Sequence, residues 1–304
     1  MENKVGKMKI GIFDSGLGGL IIARSIRKLM PEYDYMYLGD TKRVPYGNRS
    51  HEAVFEFTKQ GVDYLFTKQN CGIVVVACNT ASARSLRRIQ QEYLPNFNKT
   101  RKLMGFEEVN VLGVLIPTAE ECAKYKRVGI IGTTGTIASN TFVDEIKKIH
   151  AQRSLGGVGD SKTIIFQNSA PMLVPLSEAG EDVLAKPFLV KYLKPFLNKS
   201  RRQNGLVPRP KASGEIEALA LGCTHYPFYK EEIRKILGKK ITVLSQDEII
   251  PKKLKEYFKK HTEIENKLSK NKTTKILLTD LTKNIEKLSQ KWFGKNTKPE
   301  LVKL

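Results

Sequence analysis

Ile73-Val74-Val75-Val76-Ala77-Cys78-Asn79-Thr80 is the stretch that decides the fold. Four β-branched residues run without a polar break, as in a parallel strand buried on both faces. The run stops at a small turn and passes into Ala81 to Leu94, which reads as an amphipathic helix ended by Pro95. A thiol therefore stands at the carboxyl end of a buried strand, where α/β proteins keep their chemistry. The construction returns at Ala218-Leu219-Ala220-Leu221-Gly222-Cys223-Thr224-His225, again before a helix-like stretch.

Working outward, strand-like runs alternate with amphipathic ones, which predicts parallel sheets covered by helices. Strands are expected at Lys9–Phe13, Tyr35–Leu38, Ile73–Ala77 and Val109–Val114, with helices at Gly19–Met30 and Ser50–Gln69. Ser50 is placed to cap its helix. A second series gives strands at Arg127–Gly132, Thr163–Gln167 and Glu217–Leu221, and helices at Ile137–His150 and Glu181–Leu197, the latter interrupted near Pro187. The tail adds strands at Ile241–Leu244 and Lys275–Leu278, a helix from Asp247, and a last helix before Gly294. Asn96–Glu107 and Asn198–Ser213 are polar and basic and read as surface insertions.

The two series echo each other. Lys9-Ile10-Gly11-Ile12-Phe13-Asp14-Ser15-Gly16 resembles Arg127-Val128-Gly129-Ile130-Ile131-Gly132-Thr133-Thr134, and Val75 to Thr80 resembles Ala220 to His225. The expected fold is α/β: two similar flavodoxin-like lobes with parallel sheets, related by a pseudo-two-fold. Residues 1–114 plus 223–304 are expected to form one lobe and 115–222 the other. Each lobe supplies a hydroxyl-bearing first turn and a thiol-bearing later turn, and the cleft between them is the default site.

Composition narrows the classes. The chain has 304 residues, 40% of them hydrophobic, enough for one large or two medium cores. No apolar run approaches the ~18 residues a membrane span needs. The charged start, Met1 to Lys9, does not read as a signal peptide. Cys71, Cys78, Cys122 and Cys223 show no C-x-x-C spacing, so no zinc or redox pair is indicated, and a reducing cytoplasm is the expected compartment. The formal charge of +21 raises nucleic acid as a partner. Its lysines gather at Lys99–Lys102, Lys199–Lys211 and Lys252–Lys275 without interleaved aromatics, so a solvated surface is the preferred reading.

Several motifs can carry chemistry. Asp14-Ser15-Gly16-Leu17-Gly18-Gly19 presents a carboxylate and a hydroxyl at a helix start, but it fails both the dinucleotide and the phosphate-loop spacings. Val44-Pro45-Tyr46-Gly47 is a loop whose backbone can approach a ligand. Cys78 at a helix N-terminus sits where a thiolate is favoured, with Asn79 and Thr80 adding donors for a carboxylate. Cys223 repeats this beside His225, an imidazole able to orient the sulfur or exchange a proton with it. Cys71 and Cys122 read as packing residues. Two thiols across a cleft can take a proton from one face of a carbon and return one to the other.

These motifs resemble the glutamate racemase family, within the aspartate/glutamate racemase superfamily. The resemblance rests on Phe13 to Gly19, Gly39-Asp40-Thr41 with Pro45-Tyr46-Gly47, Ala77-Cys78-Asn79-Thr80-Ala81-Ser82, Gly132-Thr133 to Thr136, Val174-Pro175-Leu176 with Glu178, and Gly222-Cys223-Thr224-His225-Tyr226-Pro227. They occur in the family's order over residues 9 to 290. The resemblance implies Cys78 and Cys223 as the two acid/base residues, Asp14 assisting Cys78, and Glu178 and His225 assisting Cys223. It implies substrate contacts from Asp14, Ser15, Pro45, Tyr46, Gly47, Asn79, Thr80, Thr133, Thr136, Thr224 and His225. It further implies a cofactor-independent reaction on glutamate, with D-glutamate supplying peptidoglycan synthesis. Ala170 and Ser177 depart from the family's usual residues, and Ser177 leaves the geometry around Glu178 open. Glutamate is the expected partner; a homodimer is left open, and no membrane contact is expected. The rival readings are a racemase for aspartate or a broader amino-acid range, and a basic DNA-associated binding protein.

Overall fold

A computed structural model describes residues 7–155, 162–197 and 215–304. Among the described residues, ten strands form two wholly parallel sheets. The first contains β1 (Lys9–Asp14), β2 (Tyr35–Gly39), β3 (Cys71–Val76), β4 (Asn110–Gly113), β9 (Thr274–Leu278) and β10 (Glu300–Leu301), in the order β10-β9-β2-β1-β3-β4. The second contains β5 (Arg127–Gly132), β6 (Ile164–Ser169), β7 (Ala218–Gly222) and β8 (Thr242–Leu244), in the order β6-β5-β7-β8. The run β2-β1-β3-β4 is the counterpart of β6-β5-β7-β8, which is the duplication expected from the sequence echoes. In both sheets the strand order reverses between the first strand and the one that carries the cysteine. That reversal is where doubly wound sheets open a crevice at their carboxyl ends.

Strand alternation divides each core. Ile10, Ile12, Tyr35, Tyr37, Ile73 and Val75 pack with the helices Gly19–Leu29, Gln246–Lys260 and Lys283–Phe293 on one face of the first sheet. Phe13, Met36, Leu38, Val74 and Val76 face the opposite way, against His51–Thr67 and the helices after β3. In the second sheet Ile131, Leu219 and Leu221 join one cluster, and Val128, Ile130, Ala218 and Ala220 the other. Both faces are covered, so the strands read as continuous apolar runs. Ser50 caps its helix as expected, its Oγ accepting from Ala53 N at 3.2 Å.

The structure corrects four expectations. First, β8 pairs with β7, so the chain returns to the first lobe at Gln246 and not at Cys223. The stretch 223–245 belongs with the second sheet because β8 completes its edge. Second, Pro95 does not end a helix. The helix Asn79–Arg88 runs through a π-turn, Ile89–Tyr93, into a further helix, Leu94–Leu103. Pro95 is the second residue of that helix, directly after the π-turn, where the helix hydrogen-bond spacing is already altered. Third, Asn96–Glu107 lies at the surface as expected, but it is helical as far as Leu103 and not a loop. Fourth, Glu181–Leu197 is broken into a 3₁₀ turn (Asp182–Leu184), a helix (Ala185–Leu193) and a second 3₁₀ turn (Lys194–Phe196). The insertion expected at Asn198–Ser213 lies outside the described residues. Among the described residues, no helix is long and apolar enough to cross a membrane.

Asp34 fastens the tail to the first sheet. Its buried carboxylate accepts from Thr273 N (2.8 Å), Thr273 Oγ1 (2.6 Å) and Asn271 Nδ2 (2.7 Å), at the entry to β9. Burial alone would raise its pKa, but these hydrogen bonds hold the carboxyl well below the usual carboxylate range. Asp34→Ala should cost about 2 kcal/mol at neutral pH, read from urea unfolding. Because the folded state binds this proton more weakly, the contribution is full above about pH 4 and fades as pH falls further. A wild-type–variant difference that stays constant from pH 6 to pH 3 would refute this role.

Candidate active site

Four strand-end turns converge. β1 delivers Asp14 and Ser15, β3 delivers Cys78 to Thr80, β5 delivers Thr133 to Thr136, and β7 delivers Cys223 to His225. β1 neighbours β3 and β5 neighbours β7, so each lobe sets its hydroxyl-bearing turn beside its thiol-bearing turn. Asp14, Ser15, Cys78, Asn79, Thr80, Thr136, Cys223, Thr224 and His225 are all buried.

The lobes touch through the β1 turn. Asp14 Oδ2 accepts from Gly16 N at 3.1 Å, and Tyr37 OH donates to Gly16 O at 2.8 Å, which holds the turn closed. Gly18 lies directly against the β7 turn: a Cβ there would be 2.4 Å from His225 Nδ1 and 2.5 Å from Thr224 Oγ1. Thr224 Oγ1 donates to Asp14 Oδ1 at 3.5 Å, a long bond that joins the two lobes. Burial pushes the Asp14 carboxyl up, while the positive charge of His225 and the N–H groups of Gly19 and Gly16 pull it back part of the way.

The two thiols have unlike surroundings. Cys78 is the N-cap of Asn79–Arg88, and its sulfur accepts from Ala81 N at 3.4 Å. Burial pushes this thiol up to about 12, and the charges of Asp14 and Cys223 add to the rise; Ser15 and Ala81 oppose it with hydrogen bonds. Cys223 does not begin an α-helix as expected. It is followed by a 3₁₀ turn, Tyr226–Tyr229, and only then by the helix Lys230–Leu237. Its partner is instead His225, whose Nδ1 lies 3.8 Å from the Cys223 sulfur and whose Nε2 lies 3.0 Å from Glu178 Oε1. Burial alone would lower the imidazole, but its bonds to Cys223 and Glu178 raise it well above its ordinary value. Nε2 thus faces Glu178, and Nδ1 lies between the Cys223 sulfur and Thr224 Oγ1, 3.4 Å from the latter. Glu178 lies in the last turn of the helix Leu173–Ala179, and Ser177 beside it is buried and donates to Val174 O at 2.8 Å.

A threonine cluster closes the other side. Thr80, Thr133 and Thr136 lie within 3.0–3.4 Å of one another by their hydroxyls, joining the β3 turn to the β5 turn. The Pro45–Gly47 loop lies alongside: a Cβ on Gly47 would sit 3.4 Å from Thr133 Cβ. Pro45 is exposed. Tyr46 is buried, but its hydroxyl donates to Asp40 Oδ2, so its phenol is directed into lobe one. Cys71 and Cys122 are buried in the apolar clusters, as expected of packing residues. Among the described residues, no group of three or more His, Cys, Asp or Glu side chains could hold a metal ion.

Sequence reading missed three neighbours. Tyr37 carries no motif, and its hydroxyl reaches the β1 turn from the core of the first sheet. Trp292 sets its ring edge-on to His225, with centroids 5.5 Å apart. Gln246 is fully buried and bonds the amide of Asn79. All three come from elements remote in sequence from the turn they touch, so no local spacing announces them.

No family model matches the chain. Individual relatives do. The glutamate racemase of Aquifex aeolicus is 32% identical over 97% of this chain and 98% of its own length. Among solved structures, a glutamate racemase isoform from Bacillus anthracis superposes with a TM-score of 0.77 at 29% identity, covering 98% of both chains. The glutamate racemase of Francisella tularensis, solved in complex with D-glutamate, gives 0.75 at 25% identity and covers 98% of both. Similarity of this extent, over nearly the whole length of both proteins, makes the chain an amino-acid racemase that belongs to the glutamate racemase family.

Proposed function

We propose that the chain interconverts L- and D-glutamate by passing the Cα proton between Cys78 and Cys223 without a cofactor, and that the D-glutamate supplies peptidoglycan synthesis. The observation that carries this reading is the placement of two buried thiols at equivalent strand ends, β3 and β7, with the Asp14 turn beside β3 bonded to Thr224 next to Cys223. The D-glutamate complex of the Francisella tularensis relative supports the substrate.

In the proposed cycle for L-glutamate, Cys223 as thiolate takes the Cα proton, and the Cys78 thiol gives its proton to the opposite face. Cys223 ends as thiol and Cys78 as thiolate, which is the starting state for D-glutamate. The imidazolium of His225, held by Glu178, faces the Cys223 sulfur and balances its negative charge. Asp14 lies beside Cys78, and its upward-shifted carboxyl is suited to exchange a proton with that thiol. Ser15, Asn79, Thr80, Thr133, Thr136 and Thr224 offer neutral donors to the substrate's α-carboxylate, which they bind in the ground state as well as in the carbanion whose charge spreads onto it; all but Thr133 are buried. Pro45 and Gly47 contribute backbone and shape.

Two tests follow from this geometry. Proton NMR of L-glutamate in deuterium oxide should show deuterium entering at Cα together with loss of optical rotation. Cys78→Ala and Cys223→Ala should each lower racemisation at least ~10³-fold with the fold intact. More than a few per cent of wild-type turnover in either variant would sink the two-base assignment. Separately, Gly18→Ala should push the β1 turn away from Thr224 and His225 and lower kcat/KM by ~100-fold, since a misplacement of about 1 Å is enough for that. Near-normal kinetics in Gly18→Ala would mean this contact does not align the lobes.

A further inference from the structure

Asn79 is held by a chain of hydrogen bonds that begins at the backbone where the chain first crosses between lobes. Val114 follows β4, and its carbonyl accepts from Thr118 Oγ1 at 2.7 Å. That hydroxyl has then spent its only proton, so its oxygen accepts from Gln246 Nε2 at 3.1 Å. This sets which end of the Gln246 carboxamide is nitrogen. Gln246 Nε2 gives its second proton to Asn79 Oδ1 at 2.8 Å, and Gln246 Oε1 accepts from Asn79 Nδ2 at 2.7 Å. The orientation of the Asn79 amide follows from the Val114 carbonyl, three side chains away. Gln246 has no proton left; Asn79 keeps one N–H.

All three side chains are buried: Thr118 and Gln246 are 0% exposed and Asn79 is 2% exposed. An amide pair in that setting is costly to break, because each group would be left without water or partner. The three residues also occupy informative places. Thr118 lies in the helix Leu115–Cys122, just after the outward crossing. Gln246 is the first residue of Gln246–Lys260, just after the return crossing from β8. Asn79 follows Cys78 directly. Both inter-lobe crossings are thus bonded to the turn that carries one thiol.

We propose that Gln246, anchored by Thr118, is a positioning residue: it aims the remaining Asn79 N–H at the substrate carboxylate and ties that aim to the two crossings between lobes. The proposal rests on the reading above that Asn79 contacts substrate. A substrate donor that also serves the ground state shows itself mainly in KM. Gln246→Leu should therefore raise KM for glutamate ~10-fold or more in both directions while kcat changes less than about threefold. Thr118→Val keeps the shape, removes only the anchor, and should raise KM by roughly threefold. Asn79→Ala should raise KM at least as much as Gln246→Leu, and the double variant Asn79→Ala/Gln246→Leu should be no worse than Asn79→Ala alone.

The measurement is steady-state racemisation of both enantiomers, with circular dichroism and thermal midpoints for every variant. A merely structural role would lower the midpoint and the amount of active enzyme but leave KM in place. Unchanged KM in both Gln246→Leu and Thr118→Val, with KM raised in Asn79→Ala, would overturn the positioning role and leave the assignment of Asn79 intact. Should Gln246→Leu fail to fold, the Thr118→Val result decides by itself. Unchanged KM in Asn79→Ala would overturn the proposal through its premise, and absence of Cα deuteration by the wild type would overturn the proposed reaction instead.

Discussion

The β1 turn can lie against Thr224 and His225 only because residue 18 has no side chain, and the arrangement of the site depends on that contact. Two lobes of similar topology could be joined in many relative orientations. The Gly18 approach, the Thr224–Asp14 bond and the threonine cluster select one of them. They act at the carboxyl ends of β1, β3, β5 and β7 and nowhere near the outer helices. The lobes are therefore registered to one another at the level of the chemistry, while ion pairs such as Arg87–Glu145, Lys253–Glu120 and Lys291–Asp182 join their helices further out.

The duplication is topological, and the chemistry breaks it. β3 and β7 are equivalent strands with equivalent cysteines, yet their electrostatic surroundings are opposed. Cys78 faces a carboxylate and the other sulfur, both of which disfavour its thiolate, and burial adds to this. Cys223 faces an imidazole that Glu178 helps keep protonated. On the proposed chemistry this asymmetry is useful. A two-base exchange needs one sulfur to begin as acid and the other as base, and identical environments would leave that assignment unspecified. Here the neighbours favour Cys78 as the thiol and place a positive charge beside Cys223.

Much of this was legible in the sequence, for identifiable reasons. Continuous apolar runs such as Ile73–Val76 and Ala218–Leu221 read as buried parallel strands because burial on both faces removes the polar alternation. The echo between Lys9–Gly16 and Arg127–Thr134 corresponds to β1 and β5, which hold the same place in their sheets. What escaped depended on long-range pairing. Nothing local to Thr242–Leu244 says which sheet it joins, so the lobe boundary was misplaced. Pro95 reads as a stop when only the preceding helix is considered, yet it is acceptable as the start of the next. The four turns of the site could be named because each carries its signal within a few residues. Gln246, Tyr37 and Trp292 could not, since their roles arise from contacts with chain segments far away.

The overall charge and the charge within the site argue in different directions, and distance decides between them. The +21 surface draws anions toward the molecule, but solvent ions screen such fields beyond about 8 Å at physiological salt. The charged groups beside the two sulfurs are Asp14 and His225, with Glu178 paired to the imidazole, while Arg84 packs against Gly135 of the β5 turn and donates to Arg49 O. On the proposed chemistry the substrate's carboxylates are then bound by neutral N–H and O–H donors, chiefly Asn79 and the threonines, because an added lysine or arginine beside them would also stabilise the Cys78 thiolate and erase the difference between the two sulfurs. Neutral donors tolerate little misalignment, since a hydrogen bond weakens steeply with angle where a point charge does not. A site that binds anions this way must hold its amides and hydroxyls in place by further hydrogen bonds, and that requirement accounts for polar side chains as deeply buried as Thr118, Thr136 and Gln246.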